Sequence, residues 1–145
     1  RACDRLDSAI DALQNALELS RNCKYPLGEG MALYNLGNVY LFLDDGQSLA
    51  YYEQAEALFA LTGQEHHQAM AKLQIGTLLR DHQRLEAAEQ HFIDARSCFE
   101  RCGDPVNAAR SEIELINLHT LRRDYRCSIE GFAALLPRLE SDQLD

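Results

Sequence analysis

Leu36-Gly37-Asn38-Val39-Tyr40, followed after a turn by Tyr52-Glu53-Gln54-Ala55, is echoed by Ile75-Gly76-Thr77-Leu78-Leu79 and then Phe92-Ile93-Asp94-Ala95. Gly37 and Gly76 stand 39 residues apart, Ala55 and Ala95 stand 40 apart, and Ala16 lies 39 before Ala55. A period in this range marks one supersecondary unit stacked on copies of itself, because a single unit cannot bury its apolar face alone. Such arrays present extended surfaces, so the expectation is a device that holds something and not an enzyme.

Within each period the pattern is helical. Apolar residues recur three and four apart, as in Leu33, Leu36, Tyr40 and in Leu73, Gly76, Leu79, which lines up one face of a helix. Alternating strand patterns do not occur. Gly103-Asp104-Pro105 reads as a left-handed glycine, an aspartate N-cap and a first-turn proline; Thr62-Gly63 and Lys24-Tyr25-Pro26 punctuate the chain similarly. Helices are predicted at about 3–23, 28–43, 47–61, 65–81, 84–101, 105–121 and 125–138. The fold class predicted is all-α: a right-handed superhelical solenoid of about three and a half hairpins in a single domain spanning residues 1–145. Its parts are a half repeat at 1–24 and repeats at about 26–63, 64–103 and 104–140. The unpaired first helix and the start at Arg1, without an initiator methionine, predict a fragment of a longer protein.

At these positions the chain resembles the tetratricopeptide repeat family. The pattern on helix A is met by Leu33, Leu36, Gly37 and Tyr40, and that on helix B by Ser48, Tyr52 and Ala55. The second repeat supplies Ile75, Gly76, Leu79, Ala88, Phe92 and Ala95. The third is degenerate (Leu115, Ile116, His119, Ser128, Phe132, Leu135), with Ile116 at the glycine position, and Lys72 occupies an apolar site in the second. The steric expectation is that Gly37 and Gly76 let helix B approach helix A, while Tyr52 and Phe92 fill the space between adjacent hairpins. The long period, with helix B ending in Cys98-Phe99-Glu100-Arg101-Cys102-Gly103-Asp104, looks like that of repeats in bacterial signalling and transcription regulators. The 40-residue repeats of animal polarity scaffolds are a second match, approached through Leu36-Gly37-Asn38-Val39-Tyr40. The resemblance implies that helices A line a concave face that docks a protein or peptide, as the regulatory or partner-docking part of a larger protein. The competing expectation is a structural spacer or dimerisation array with no ligand groove.

Helical geometry then selects the inward stripes of helices A. They are Met31, Tyr34, Asn35, Asn38 and Leu41; Met70, Leu73, Gln74, Thr77 and Arg80; and Arg110, Ile113, Glu114, Asn117 and Thr120. Amides recur at matching heights, Asn35 with Gln74 and Asn38 with Asn117; each offers a donor and an acceptor to an extended backbone. Methionine and tyrosine beside them adapt to apolar side chains. Only Arg80 and Arg110 supply positive charge, which excludes a carboxylate-clamping chaperone adaptor.

Composition excludes other classes. A net charge of −9 opposes nucleic acid, and no apolar run approaches the ~20 residues of a membrane span. Five cysteines without a Cys-x-x-Cys pair predict reduced, buried thiols and a cytoplasmic setting. His91, Cys98 and Cys102 fall short of a four-ligand zinc set, Glu65-His66-His67 lacks metalloprotease spacing and reads as an exposed first turn, and Asp4, Asp7 and Asp11 form a solvated face. No catalytic, metal or cofactor residue is predicted. Leu6, Ile10, Leu13 and Leu17 form an apolar stripe on the first helix, and self-association through it is predicted.

Overall fold

A computed structural model of the protein describes residues 2–44 and 46–141, with side chains described from Arg5 onward. Seven helices and no strand occur among the described residues: α1 (Ala2–Asn22), α2 (Pro26–Phe42), α3 (Ser48–Leu61), α4 (Glu65–Asp81), α5 (Leu85–Arg101), α6 (Pro105–Leu121) and α7 (Tyr125–Ser141). The fold is all-α. The chain divides into two compact units, Arg1–Ile75 and Gly76–Asp145.

The helix ends share one construction. After α1, Lys24 adopts a left-handed φ of 52°, and Tyr25 N donates to Ser20 O at 2.8 Å while Lys24 N donates to Arg21 O at 3.1 Å. These are the paired bonds of a Schellman C-cap. The same left-handed residue follows at Asp44, Gly63, Gln83, Gly103 and Arg123. Proline opens the next helix at Pro26 and Pro105, where its missing N–H costs nothing. Pro26 therefore starts α2 two residues earlier than predicted. At the other end α7 continues through Pro137 to Ser141, beyond the predicted stop.

Each hairpin is closed by a knob on a bare patch of backbone. A methyl group on Gly37 would lie 2.8 Å from the Tyr52 ring, and one on Gly76 would lie 2.7 Å from that of Phe92. Both aromatic residues are fully buried. The rings therefore seat on the glycine of their own hairpin, where the missing side chain lets helix B approach helix A as expected. Gly30 seats Phe59 in the same way, 2.8 Å from a would-be methyl. In the third hairpin the parts are exchanged: Ile116 on α6 is the knob, and Gly131 on α7 is the hole, 2.8 Å from a would-be methyl. Phe132, predicted as the knob there, is 40% exposed.

The core of the first unit gathers Leu17, Leu33, Leu36, Ala55, Phe59 and Ala71, with Ile10 and Leu13 packed against it. In the second, Ala109, Ile116 and Leu135 form a cluster that Ile113 and Leu139 flank. Of the α1 stripe, Leu17 is buried, and Leu6, Ile10 and Leu13 are half-buried.

Candidate functional site

In the first unit, four predicted helix A residues come together. Met31, Tyr34 and Asn35 on α2 and Met70 on α4 line a cleft of about 170 Å³ with Phe59 and His67. Gly30 positions Phe59 by letting its ring lie against α2, and the rings of Phe59 and His67 stand 5.2 Å apart, tilted by 34°. His66 and His67 are half-buried, so the expected exposed turn holds for Glu65 alone. Gln74 reaches the hydroxyl of Tyr34 at 3.5 Å and not, as its height suggested, Asn35. Asn35 and Met31 are exposed, and Met70 is half-buried.

The remaining candidates of this unit separate from the cleft. Asn38 is exposed, but its Oδ1 accepts a 2.7 Å hydrogen bond from the buried Tyr52 hydroxyl. Burial, and then the neighbouring Tyr34, push the Tyr52 phenol far above its ordinary pKa, so it stays a neutral donor. The Tyr34 and Tyr52 rings stand 5.4 Å apart. Leu73 is only 4% exposed; it is core, and its place in the candidate stripe is corrected. Leu41 is exposed at the end of α2, where Leu43 begins the turn.

In the second unit, Arg80 and Glu114 form an ion pair between α4 and α6, and Arg80 also reaches Asp81 at 3.0 Å. Arg110 is exposed and donates to Asn107 Oδ1 at 3.1 Å. Thr77, Ile113 and Asn117 are half-buried, and Thr120 is exposed. Two of the charged candidates therefore satisfy each other.

A second cleft in the first unit, about 330 Å³, opens between α1, α2 and α3 and includes Arg21, Leu33, Tyr51 and Gln54. Arg21 is tied there to Glu29 at 2.8 Å. Helix A stripes do not reach it.

Of the thiols, Cys98 is buried, Cys127 is half-buried, and Cys23 and Cys102 are exposed; no disulfide joins them among the described residues. The expectation of uniformly buried thiols fails for Cys102 because it sits at the C-cap of α5. Ligand atoms of His119, Asp124 and Cys127 lie within 4.8 Å of one another. Asp124 caps α7 there, accepting from Cys127 N at 3.3 Å. The Cys127 thiol's hydrogen bond is the largest cause lowering the Asp124 pKa, and the same bond raises that of Cys127. Asp7 and Asp11 are exposed as expected, while the side chain of Asp4 lies outside those described. No described helix is long and apolar enough to cross a membrane.

No family model and no curated protein matches the chain. Among solved structures it is similar to BtubC (BKLC) from P. vanneervenii, with a TM-score of 0.81 over 97% of this chain at 18% identity. The chain spans 58% of the length of that protein. The likeness establishes a shared helical fold.

Proposed function

We propose that the chain is a tetratricopeptide-type module that docks a protein or peptide segment, with no catalytic role of its own. On this reading it is the regulatory or partner-docking part of a larger, cytoplasmic bacterial signalling or transcription protein. The observation that supports it most is the cleft lined by Met31, Tyr34, Asn35, Phe59, His67 and Met70. Its volume of about 170 Å³ is comparable with the ~150 Å³ cavity that takes up a benzene-sized group, so it suits one anchoring side chain of a partner. Two methionines give the wall shape adaptability, and the exposed Asn35 amide offers both a donor and an acceptor beside it. Glycine-seated knobs at Gly37 and Gly76 support the repeat assignment, because a mid-helix glycine costs ~0.5–1 kcal/mol and needs a packing reason to recur.

The test is affinity capture with the wild-type chain and with a Met31→Glu/Asn35→Ala variant, both positions being exposed. Competition with peptides from the captured protein follows. The expected outcome is a loss of ~10-fold or more in affinity for the variant. Equal binding by both proteins would remove the cleft from the reading, and a chain that docks nothing would return it to a structural spacer.

A further inference from the structure

Three side chains with different donor atoms converge where α6 passes into α7. A ring nitrogen of His119, a carboxylate oxygen of Asp124 and the sulfur of Cys127 lie within 4.8 Å of one another. His119 stands in the last turn of α6, Asp124 precedes α7, and Cys127 belongs to its first turn. Backbone geometry holds the three in place. Arg123 takes the left-handed φ of 61°, Asp124 N donates to His119 O at 2.8 Å, and Ser128 N donates to Asp124 O at 3.2 Å. The Asp124 carboxylate accepts from Cys127 N at 3.3 Å and from the Cys127 thiol. A proton thus lies between sulfur and carboxylate, where a cation would meet two anionic donors at once. The repeat sharpens the observation. Forty residues earlier the same three positions carry Leu79, Arg84 and Ala87, none of which can hold a metal. All three become ligating types in the last hairpin. Neighbouring arginines are engaged with other carboxylates: Arg122 reaches Glu89 at 2.8 Å, and Arg126 lies 3.7 Å from Glu130.

We propose that His119, Asp124 and Cys127 bind one borderline-soft divalent transition-metal cation of the zinc class, which clamps the end of α6 to the start of α7. The donor set decides the class of ion. Calcium and magnesium take oxygen ligands, whereas imidazole, thiolate and a single carboxylate together suit zinc. Around tetrahedral zinc the ligand atoms stand about 3.5 Å apart. The three donors, at most 4.8 Å apart, therefore have to close by only about 1.3 Å. Rotation of side chains that are exposed (Asp124) or half-buried (His119, Cys127) supplies that movement. Binding forms the sulfur–metal bond and releases the thiol proton to solvent. Asp124 can keep one oxygen on Cys127 N, as its helix cap, and turn the other to the ion. Three protein ligands leave the fourth position to water, as in open zinc sites.

Isothermal titration with zinc chloride, in a phosphine reductant that does not coordinate it, reads the binding directly. The parent for the test is the full chain with Cys3→Ser, Cys23→Ser and Cys102→Ser, which leaves Cys127 and the buried Cys98. One equivalent of zinc should bind and raise the melting temperature, and cobalt in its place should give thiolate charge-transfer absorption. His119→Ala, Asp124→Asn and Cys127→Ala should each weaken zinc by ~10-fold or more. Each variant is read against its own metal-free protein, and the zinc-induced rise in melting temperature should vanish with the affinity. Glu130→Gln, a change at an exposed carboxylate outside the set, should bind like the parent. Absence of saturable binding up to ~1 mM zinc overturns the proposal. Full affinity in any of the three ligand variants, or an equal loss on Glu130→Gln, overturns it too.

Discussion

Gly76 and Phe92 form a knob-and-hole pair whose coupling can be measured. A methyl group at Gly76 would lie 2.7, 2.9 and 3.2 Å from three carbons of the Phe92 ring, where ordinary contact begins at 3.4 Å. The ring is fully buried, so it has to retreat into packed surroundings, at a cost of ~1–3 kcal/mol. Alanine also removes a mid-helix glycine, which returns ~1 kcal/mol. Gly76→Ala alone should therefore destabilise by ~0–2 kcal/mol. Phe92→Ala alone should cost ~3–5 kcal/mol through the cavity it leaves. In that background the obstacle is gone, and Gly76→Ala should stabilise by up to ~1 kcal/mol. The change of sign is the diagnostic, with a coupling of ~1–3 kcal/mol. Urea unfolding of the four proteins, followed by circular dichroism, supplies the cycle. If Gly76→Ala has the same effect in both backgrounds within ~0.5 kcal/mol, the ring does not rest on this glycine and the register of the second hairpin is refuted.

Asn38→Ala should cost ~1–3 kcal/mol by leaving the buried Tyr52 hydroxyl unsatisfied, and most of that loss should disappear when Tyr52→Phe is added; a neutral Asn38→Ala would restore Asn38 to the surface available for a ligand. Gln83→Gly should stabilise by ~0.5–1 kcal/mol, since Gln83 holds φ at 62° where glycine is unstrained; a lower melting temperature would count against the turn geometry. Hydrogen bonds from Cys127 hold the Asp124 carboxyl below its ordinary pKa. A depressed folded pKa adds stability above the unfolded value near ~4, and that stability is lost as pH falls through the folded pKa. Asp124→Asn should accordingly shallow the acid limb of the stability profile below about pH 4. The same substitution should speed alkylation of Cys127, whose thiol is held protonated chiefly by the bond to Asp124; an unchanged rate would show that the bond is not formed in solution.

The helices are legible in the sequence because two kinds of signal coincide, three-and-four apolar spacing and proline or glycine at the breaks. The uniformity of the breaks is not legible. Gly63 and Gly103 announce a left-handed residue, and Asp44 tolerates one, while Lys24, Gln83 and Arg123 take the same conformation with side chains that carry no turn signature. Tertiary packing imposes the conformation there, overriding local preference. The cleft was half legible for a related reason. Stripes drawn along helices A bring in Met31, Tyr34, Asn35 and Met70 but leave out Phe59 and His67, which arrive from helix B and from the first turn of α4. The recurrence of Phe59, Phe99 and Leu139 at 40-residue intervals was the sign available, and Gly30 beneath Phe59 was its complement.

The two end helices show where pattern reading stops. Leu6, Ile10, Leu13 and Leu17 on α1 have the same four-three-four spacing as Tyr125, Ile129, Phe132 and Leu136 on α7, yet the first set is half-buried or buried and the second is exposed. Periodicity states which side chains share a face; it does not state what lies opposite. On α1 the stripe meets the α2 core, in which Leu33 and Leu36 are buried beside Leu17. On α7 the exchange of knob and hole redirects the contact. Because Ile116 projects from α6, the hole has to be at Gly131, and the helix is oriented with Gly131 and Leu135 toward α6. Phe132, one residue beyond Gly131, is then rotated by about 100° out of the hairpin. Ile116, at the position where the first two hairpins carry Gly37 and Gly76, thus goes with the apolar face that α7 presents.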